Sequence, residues 1–246
     1  MITSFHLLRD FYGRSFAGTE TVSGEPLMDW IAEQFDDLSR AQWQEATRFF
    51  MSYVVAEALR KGAVAFGKSL PPTGSDSRDY ASVVIVREYS APSEDGWIVK
   101  AVDSIREALT TGGLIASIGL PAVLTQKQWS QASKGATRVF DNMAKCYKTN
   151  HKSIMSNELH WYINMVGSDP ECSGKGHGSQ LMQQVMTLAD EAGMSCFLEA
   201  NDEKNRRFYE KFGFKCERTG EIQNEWNPEG ESHPVFYMVR RAPSKQ

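Results

Sequence analysis

Cysteine is scarce in this 246-residue chain: four, at 146, 172, 196 and 216, widely spaced and with no CxxC pair. That argues against a disulfide framework and against a thiolate zinc site. The five histidines (6, 151, 160, 177 and 233) show neither HExxH nor HxxxH spacing, so no metal is expected. No stretch approaches the roughly 18 apolar residues of a membrane helix. The opening segment, MITSFHLLRDFYGRSFAG, lacks the uninterrupted apolar core of a signal peptide. No internal repeat is visible. The net charge of −4 supplies no bulk field for nucleic acid or anionic lipid. These absences lead to the expectation of a soluble protein of a reducing, cytoplasmic compartment, with no nucleic-acid or membrane partner. If an anion binds, local backbone geometry must hold it.

What is present is an alternation of strand and helix patterns. Residues 2–8 read as a first strand. EPLMDWIAEQFDDL follows with Met28, Ile31, Phe35 and Leu38 at helical spacing and Pro26 near its start. Ser39 and Gln42 form a capping box that opens a long helix ending before Gly62. Residues 63–67 and 81–89 read as strands joined by a Gly/Pro/Ser/Asp loop. Residues 97–157 read as a helical insertion, with one helix over 126–149. The last third alternates more plainly: a strand over 159–166, a helix over 178–192 closed by Gly193, and a strand SCFLEA. A short helix EKNRRFYEKF closed by Gly213 comes next, then an antiparallel pair across NEWNPEGE. The order predicts one α/β domain, a mixed twisted sheet of six or seven strands flanked by helices.

The densest signal is SDPECSGKGHGSQLM, residues 168–182, with Gly174, Gly176 and Gly178 directly ahead of a helix. A helix's first turn has unpaired N–H groups and a partial positive charge. Glycines in front of it let further N–H groups crowd onto one anion. The same glycines also suit a loop that merely turns a strand into a helix. Two known phosphate loops fail on register. In a P-loop Asp169 would replace the first glycine and Gly176 the Ser/Thr after the lysine. In a dinucleotide fingerprint Ser179 or Leu181 would replace the third glycine.

The pattern that remains is V-x-x-x-P-x-x-x-G-K-G-x-G-S from Val166 to Ser179, followed by LEA and N-x-x-F-Y-E-K-F-G-F over 205–214. This combination resembles the GNAT superfamily of acetyl-CoA-dependent N-acetyltransferases. Within it, the blocks over 158–241 look most like the puromycin N-acetyltransferase branch. Two positions depart from the family's pattern: Ser173 stands where Gln or Arg is usual, and His177 where an aliphatic residue is usual.

The resemblance implies a GNAT-type fold spanning 1–246, with an acetyl-CoA-binding core over 158–241 and acetyl-CoA as cosubstrate. Residues 173–179 (Ser173, Gly174, Lys175, Gly176, His177, Gly178 and Ser179) would hold its diphosphate. Asn205 would lie beside the pantetheine, and the backbone N–H of Val166 or its neighbour Met165 would meet the oxyanion. The strands holding 160–166 and 197–200 would be parallel neighbours that splay to admit the pantetheine. Tyr209 matches the family's general acid and would protonate the leaving thiolate.

The base stays open between two residues. Along the strand, Leu159, Trp161, Ile163 and Met165 point one way and His160, Tyr162 and Asn164 the other. That polar row marks a lined cleft in which His160 would take a proton near neutral pH. A histidine satisfied within the core is the commoner fate, and Glu199 in FLEA, acting through water, is the preferred base. Cys172 reads as a small filler rather than a redox thiol. The tryptophans at 30, 43, 97 and 129 receive no role. The expected reaction is acetylation of a primary amine on a small molecule by a monomer or homodimer. A protein N-terminal or lysine acetyltransferase and a non-catalytic acyl-CoA sensor are the alternatives.

Overall fold

The computed structural model of the chain describes residues 8, 11–12, 14–16, 26–32, 39–70, 80–89, 142–223 and 230–243. Helix α1 is Pro26–Ala32 and α2 is Arg40–Arg60. The capping box forms as expected: Ser39 N–H donates to Gln42 Oε1 at 3.0 Å, and Gln42 N–H to Ser39 Oγ at 3.3 Å. Strands β1 (Val64–Ser69) and β2 (Tyr80–Tyr89) follow, then helical residues 142–155, here α3. Next come β3 (His160–Ser168), a single 3₁₀ turn (Pro170–Cys172), α4 (His177–Glu191) and β4 (Ser195–Ala200). Helix α5 (Glu203–Glu210), β5 (Lys215–Ile222) and β6 (His233–Arg240) complete the chain. Of the expected first strand only Leu8 is described, and it is helical, as are residues 11, 12 and 14–16. Residues 33–38, most of the 68–79 loop and 97–141 of the insertion lie outside the described residues.

The six strands are ordered β1-β2-β3-β4-β6-β5. Only β3 and β4 run parallel; the other neighbours are antiparallel. A central position explains why β2 reads as the unbroken apolar run ASVVIV, buried on both faces. One face is covered by α4, whose Leu181, Met182, Val185, Met186 and Ala189 pack on Val84, Val86, Ile163, Leu198 and Met238. Helical spacing alone predicts a stripe of Leu181, Val185, Leu188 and Ala192; the stripe is re-phased, since Leu188 is 40% exposed. The helix ends in a Schellman motif: Gly193 takes φ +66°, its N–H bonds Asp190 C=O, and Met194 N–H bonds Ala189 C=O. On the opposite face Leu8, Phe11, Tyr12, Met51 and Val55 cover Ala65, Val83, Ile85 and Met165. Further along that face Leu27, Met28 and Met155 cover Phe197, Val235, Tyr237 and Val239.

One residue breaks the alternation of β3. Met165 pairs with Ile85 and Ile163 with Val86, so Asn164 is an extra residue in the ladder, a β-bulge. Ile163 therefore packs under α4, while Met165, two positions on, packs against Tyr12 and its neighbours on the other face. The sequence alternation that put Ile163 and Met165 on one side is corrected here. It assumed an unbroken period of two, which a bulge resets. Beyond it Gly167 meets the helical residues 11, 12 and 15 so closely that a Cβ would lie 2.8 Å from Ser15 Oγ, 3.0 Å from Tyr12 Cε1 and 3.1 Å from Phe11 Cε1. Gly167→Ala should therefore lower the urea-denaturation free energy by about 1–3 kcal/mol, the usual cost of overpacking against rigid rings.

Candidate active site

Strands β3 and β4 pair only at His160–Ser195, Trp161–Cys196 and Tyr162–Phe197. Beyond those pairs β3 runs on to Ser168 and stays with β2, while β4 runs on to Ala200 and stays with β6. The bulge at Asn164 falls where pairing stops, and it bends β3 off its parallel neighbour. The chain expected to splay does so.

The glycine loop begins at the parted end of β3. Asp169, 1% exposed, fixes it: its N–H bonds Ala81 C=O at 3.0 Å and its Oδ1 accepts Glu171 N–H at 3.0 Å. Its Oδ2 accepts Arg14 Nε and Nη2, each at 3.3 Å. Gly174 and Gly176 have φ of +76° and +78°, and a Cβ at either would meet nothing within 4 Å. Their glycine character thus serves backbone handedness rather than crowding, and any other residue there costs about 1–2 kcal/mol. The open side of the loop leads directly to the first-turn N–H groups of α4. Ser173, Gly174, Lys175, Gly176 and Ser179 are exposed and His177 and Gly178 half-buried. Lys175 Nζ donates to Glu171 C=O at 3.0 Å, folded over its own turn. His177 Nδ1 is buried with no hydrogen-bond partner. Cys172 is 6% exposed and its N–H closes the 3₁₀ turn on Asp169, in keeping with a packed filler.

Glu199 lies on β4 beyond the last β3 pair and opposite Tyr237 of β6. Tyr162 Oη donates to its Oε2 at 2.7 Å, while its Oε1 is buried without a partner. Burial pushes the carboxyl up to about 8, against the Tyr162 hydrogen bond, which lowers it. The phenol of Tyr237 meets Cys146 Sγ of α3 at 2.9 Å. Tyr147 Oη, also of α3, donates to Asn201 Oδ1 at 2.7 Å.

His160 is not in this group. It is fully buried at the paired end of β3, with Nδ1 2.6 Å from Glu158 C=O and Nε2 2.7 Å from His151 Nε2. A carbonyl only accepts, so Nδ1 carries the proton and Nε2 accepts from His151. Burial lowers the pKa of both rings, His151 to about 4. The reading of His160 as a base is corrected: both nitrogens are committed and no face is open.

Tyr209 is half-buried on α5 and packs with Phe208 and Phe214 beside the α4-side cluster. Tyr12 belongs to the opposite face and donates to Val83 C=O at 3.0 Å and Met165 C=O at 3.4 Å; burial, and secondarily the Tyr209 phenol, raises its pKa. Asn205 sits in the first turn of α5, its N–H bound to the N-cap Asp202 at 2.6 Å. Val166 follows Met165 in the stretch of β3 that has left β4, its side chain toward α4. Among the described residues no group of three metal-binding side chains occurs, and no helix is long and apolar enough to cross a membrane.

Glu199 makes stability pH-dependent with a definite sign. Its folded pKa lies above the unfolded value near 4.3. The unfolded chain therefore loses this proton first, and the native state loses stability as pH rises from about 4.3 until the folded carboxyl ionises near 8. Glu199→Gln should gain on the parent across that window in chemical denaturation, with no difference below pH 4.

Residues 142–214 match the model of the acetyltransferase (GNAT) family. Among solved structures, the arylalkylamine N-acetyltransferase 2 of Aedes aegypti aligns at 14% identity and TM-score 0.53, covering 98% of this chain and 97% of that one. The histone acetyltransferase HPA2 and related acetyltransferase of Corynebacterium glutamicum aligns at 14% and 0.52, covering 99% and 95%. The chain spans 64% of Naa20 of Chaetomium thermophilum at 15% identity and TM-score 0.37, too low to carry an argument. Identities of this size speak to fold. Together with the family match over 142–214 they show a GNAT-type mixed α/β fold.

Proposed function

We propose that the protein is an acetyl-CoA-dependent N-acetyltransferase that acetylates a primary amine of a small molecule by direct attack in a ternary complex. One observation carries the reading: beside the parted strands stands a buried carboxyl with one oxygen held and the other without a partner. A buried carboxylate oxygen left unpaired keeps its capacity to accept a proton or a hydrogen bond. The motif blocks over 158–241 support a place nearest the puromycin-type branch.

The residues divide the chemistry as follows. Acetyl-CoA, when bound, supplies an activated acetyl thioester. The loop and the first turn of α4 fit its diphosphate, since Gly174 and Gly176 present bare backbone to open space. An alkyl ammonium titrates near 10.4 and must lose a proton before it can attack. A carboxyl raised to about 8 is better matched to take that proton than an exposed one. We assign this step to Glu199. A backbone N–H at Val166 or Met165 stabilises the developing oxyanion, Asn205 flanks the pantetheine, and Tyr209 returns a proton to the thiolate.

The test is thiol release from acetyl-CoA across polyamines, aminonucleosides, arylalkylamines and peptides. Turnover restricted to peptides would replace the small-molecule reading with a protein acetyltransferase. Thermal stabilisation by acetyl-CoA without release on any amine would make the protein a sensor. Tyr209→Phe should lower kcat about 100-fold with acetyl-CoA affinity by calorimetry unchanged. Glu199→Gln should abolish the acidic limb of the kcat/KM profile.

A further inference from the structure

The carboxyl of Glu199 is held from one side only. Tyr162 Oη donates to Oε2 at 2.7 Å across 37 positions of sequence. The ring that carries this hydroxyl is itself clamped. His151 stacks on it at 5.1 Å and 17°, Phe197 lies at 5.6 Å, and the Arg87 guanidinium carbon lies 5.7 Å from its centroid. His151 is fixed in turn by His160, and His160 by the Glu158 carbonyl. A chain of contacts thus runs from the turn before β3 to one carboxylate oxygen. Such a chain sets the rotamer of the carboxyl and chooses which oxygen stays unpaired.

We propose that Tyr162 is a positioning residue for acetyl transfer, holding Oε2 of Glu199 so that Oε1 remains available to take the acceptor's proton. The inference rests on Glu199 being the base. The only transfer is of a proton, from the substrate ammonium to Oε1; Tyr162 keeps its own. His160, fully buried, belongs to the mechanism as the far anchor of this chain.

The hydrogen bond also tunes the charge of the base. It opposes the upward push of burial on Glu199. The other titratable and charged groups around the pair are Tyr237 of β6 with Cys146 behind it, Tyr147 and His151 of α3, and Arg87 of β2. From α1 the neighbouring cluster receives Trp30, which does not titrate. Two replacements should act in opposite directions. Tyr162→Phe removes the donor, so the acidic limb of kcat/KM should move up by about one to two pH units. Replacement of Tyr162 by 3-fluorotyrosine strengthens the donor at nearly constant shape, so the limb should move down.

The experiment records pH profiles of kcat/KM for the parent, Glu199→Gln, Tyr162→Phe and the fluorotyrosine protein, with melting temperatures as a check on folding. Opposite displacements of the limb, with KM for acetyl-CoA unchanged, are expected. If Glu199→Gln keeps its limb, Glu199 is not the base and this role falls with it. If Glu199→Gln loses the limb while the fluorotyrosine protein keeps the parent's, only the role of Tyr162 is overturned. The fluorinated protein decides the matter even if Tyr162→Phe does not fold.

Discussion

Between Ile163 and Met165 the ladder of β3 with β2 takes in one residue more than the partner strand supplies, and it absorbs Asn164 only by bending. Most of the site descends from that bend. It ends the parallel pairing with β4 after Tyr162–Phe197. It also sends Met165 and Gly167 to the face covered by Tyr12 and Phe11, and Val166 to the face covered by α4. The backbone that leaves β4 carries peptide groups that need partners, and the glycine loop follows at its far end.

The two ends of β3 have opposite character. Where the strands are paired, polar groups are closed on one another: His160 on His151 and Glu158, with Tyr89 packed alongside. Where they part, Glu199 Oε1 and Asn164 Oδ1 are buried without partners, as Arg87 Nε is nearer the paired end.

Elements whose signals are local were legible in the sequence. The capping box at Ser39, the glycine stops at 193 and 213, and SCFLEA all rest on neighbours within a few positions, and they appear as read. The parallel pairing of β3 with β4 followed from the family resemblance and appears as expected. What was hidden depends on partners distant in sequence. A bulge is a mismatch between two strands, so nothing within HWYINMVGS alone announces it. Tyr162 meets Glu199 across 37 positions and His160 meets His151 across a turn, and neither contact leaves a spacing signature. The phase of α4 was misjudged at Leu188 because an apolar residue at helical spacing does not say which side of the stripe is covered.

The Arg14–Asp169 ion pair joins the glycine loop to a part of the chain more than 150 residues earlier. The recognisable family segment, 142–214, is therefore not a self-contained module. Excised, it would lose the rings that cover Gly167, the guanidinium that steadies the loop, and β6, whose hydrogen bonds close the free edge of β4. Recombination or circular permutation of this scaffold must carry the early helical residues along with the glycine-loop segment, so the unit on which selection acts is larger than the unit that sequence comparison detects.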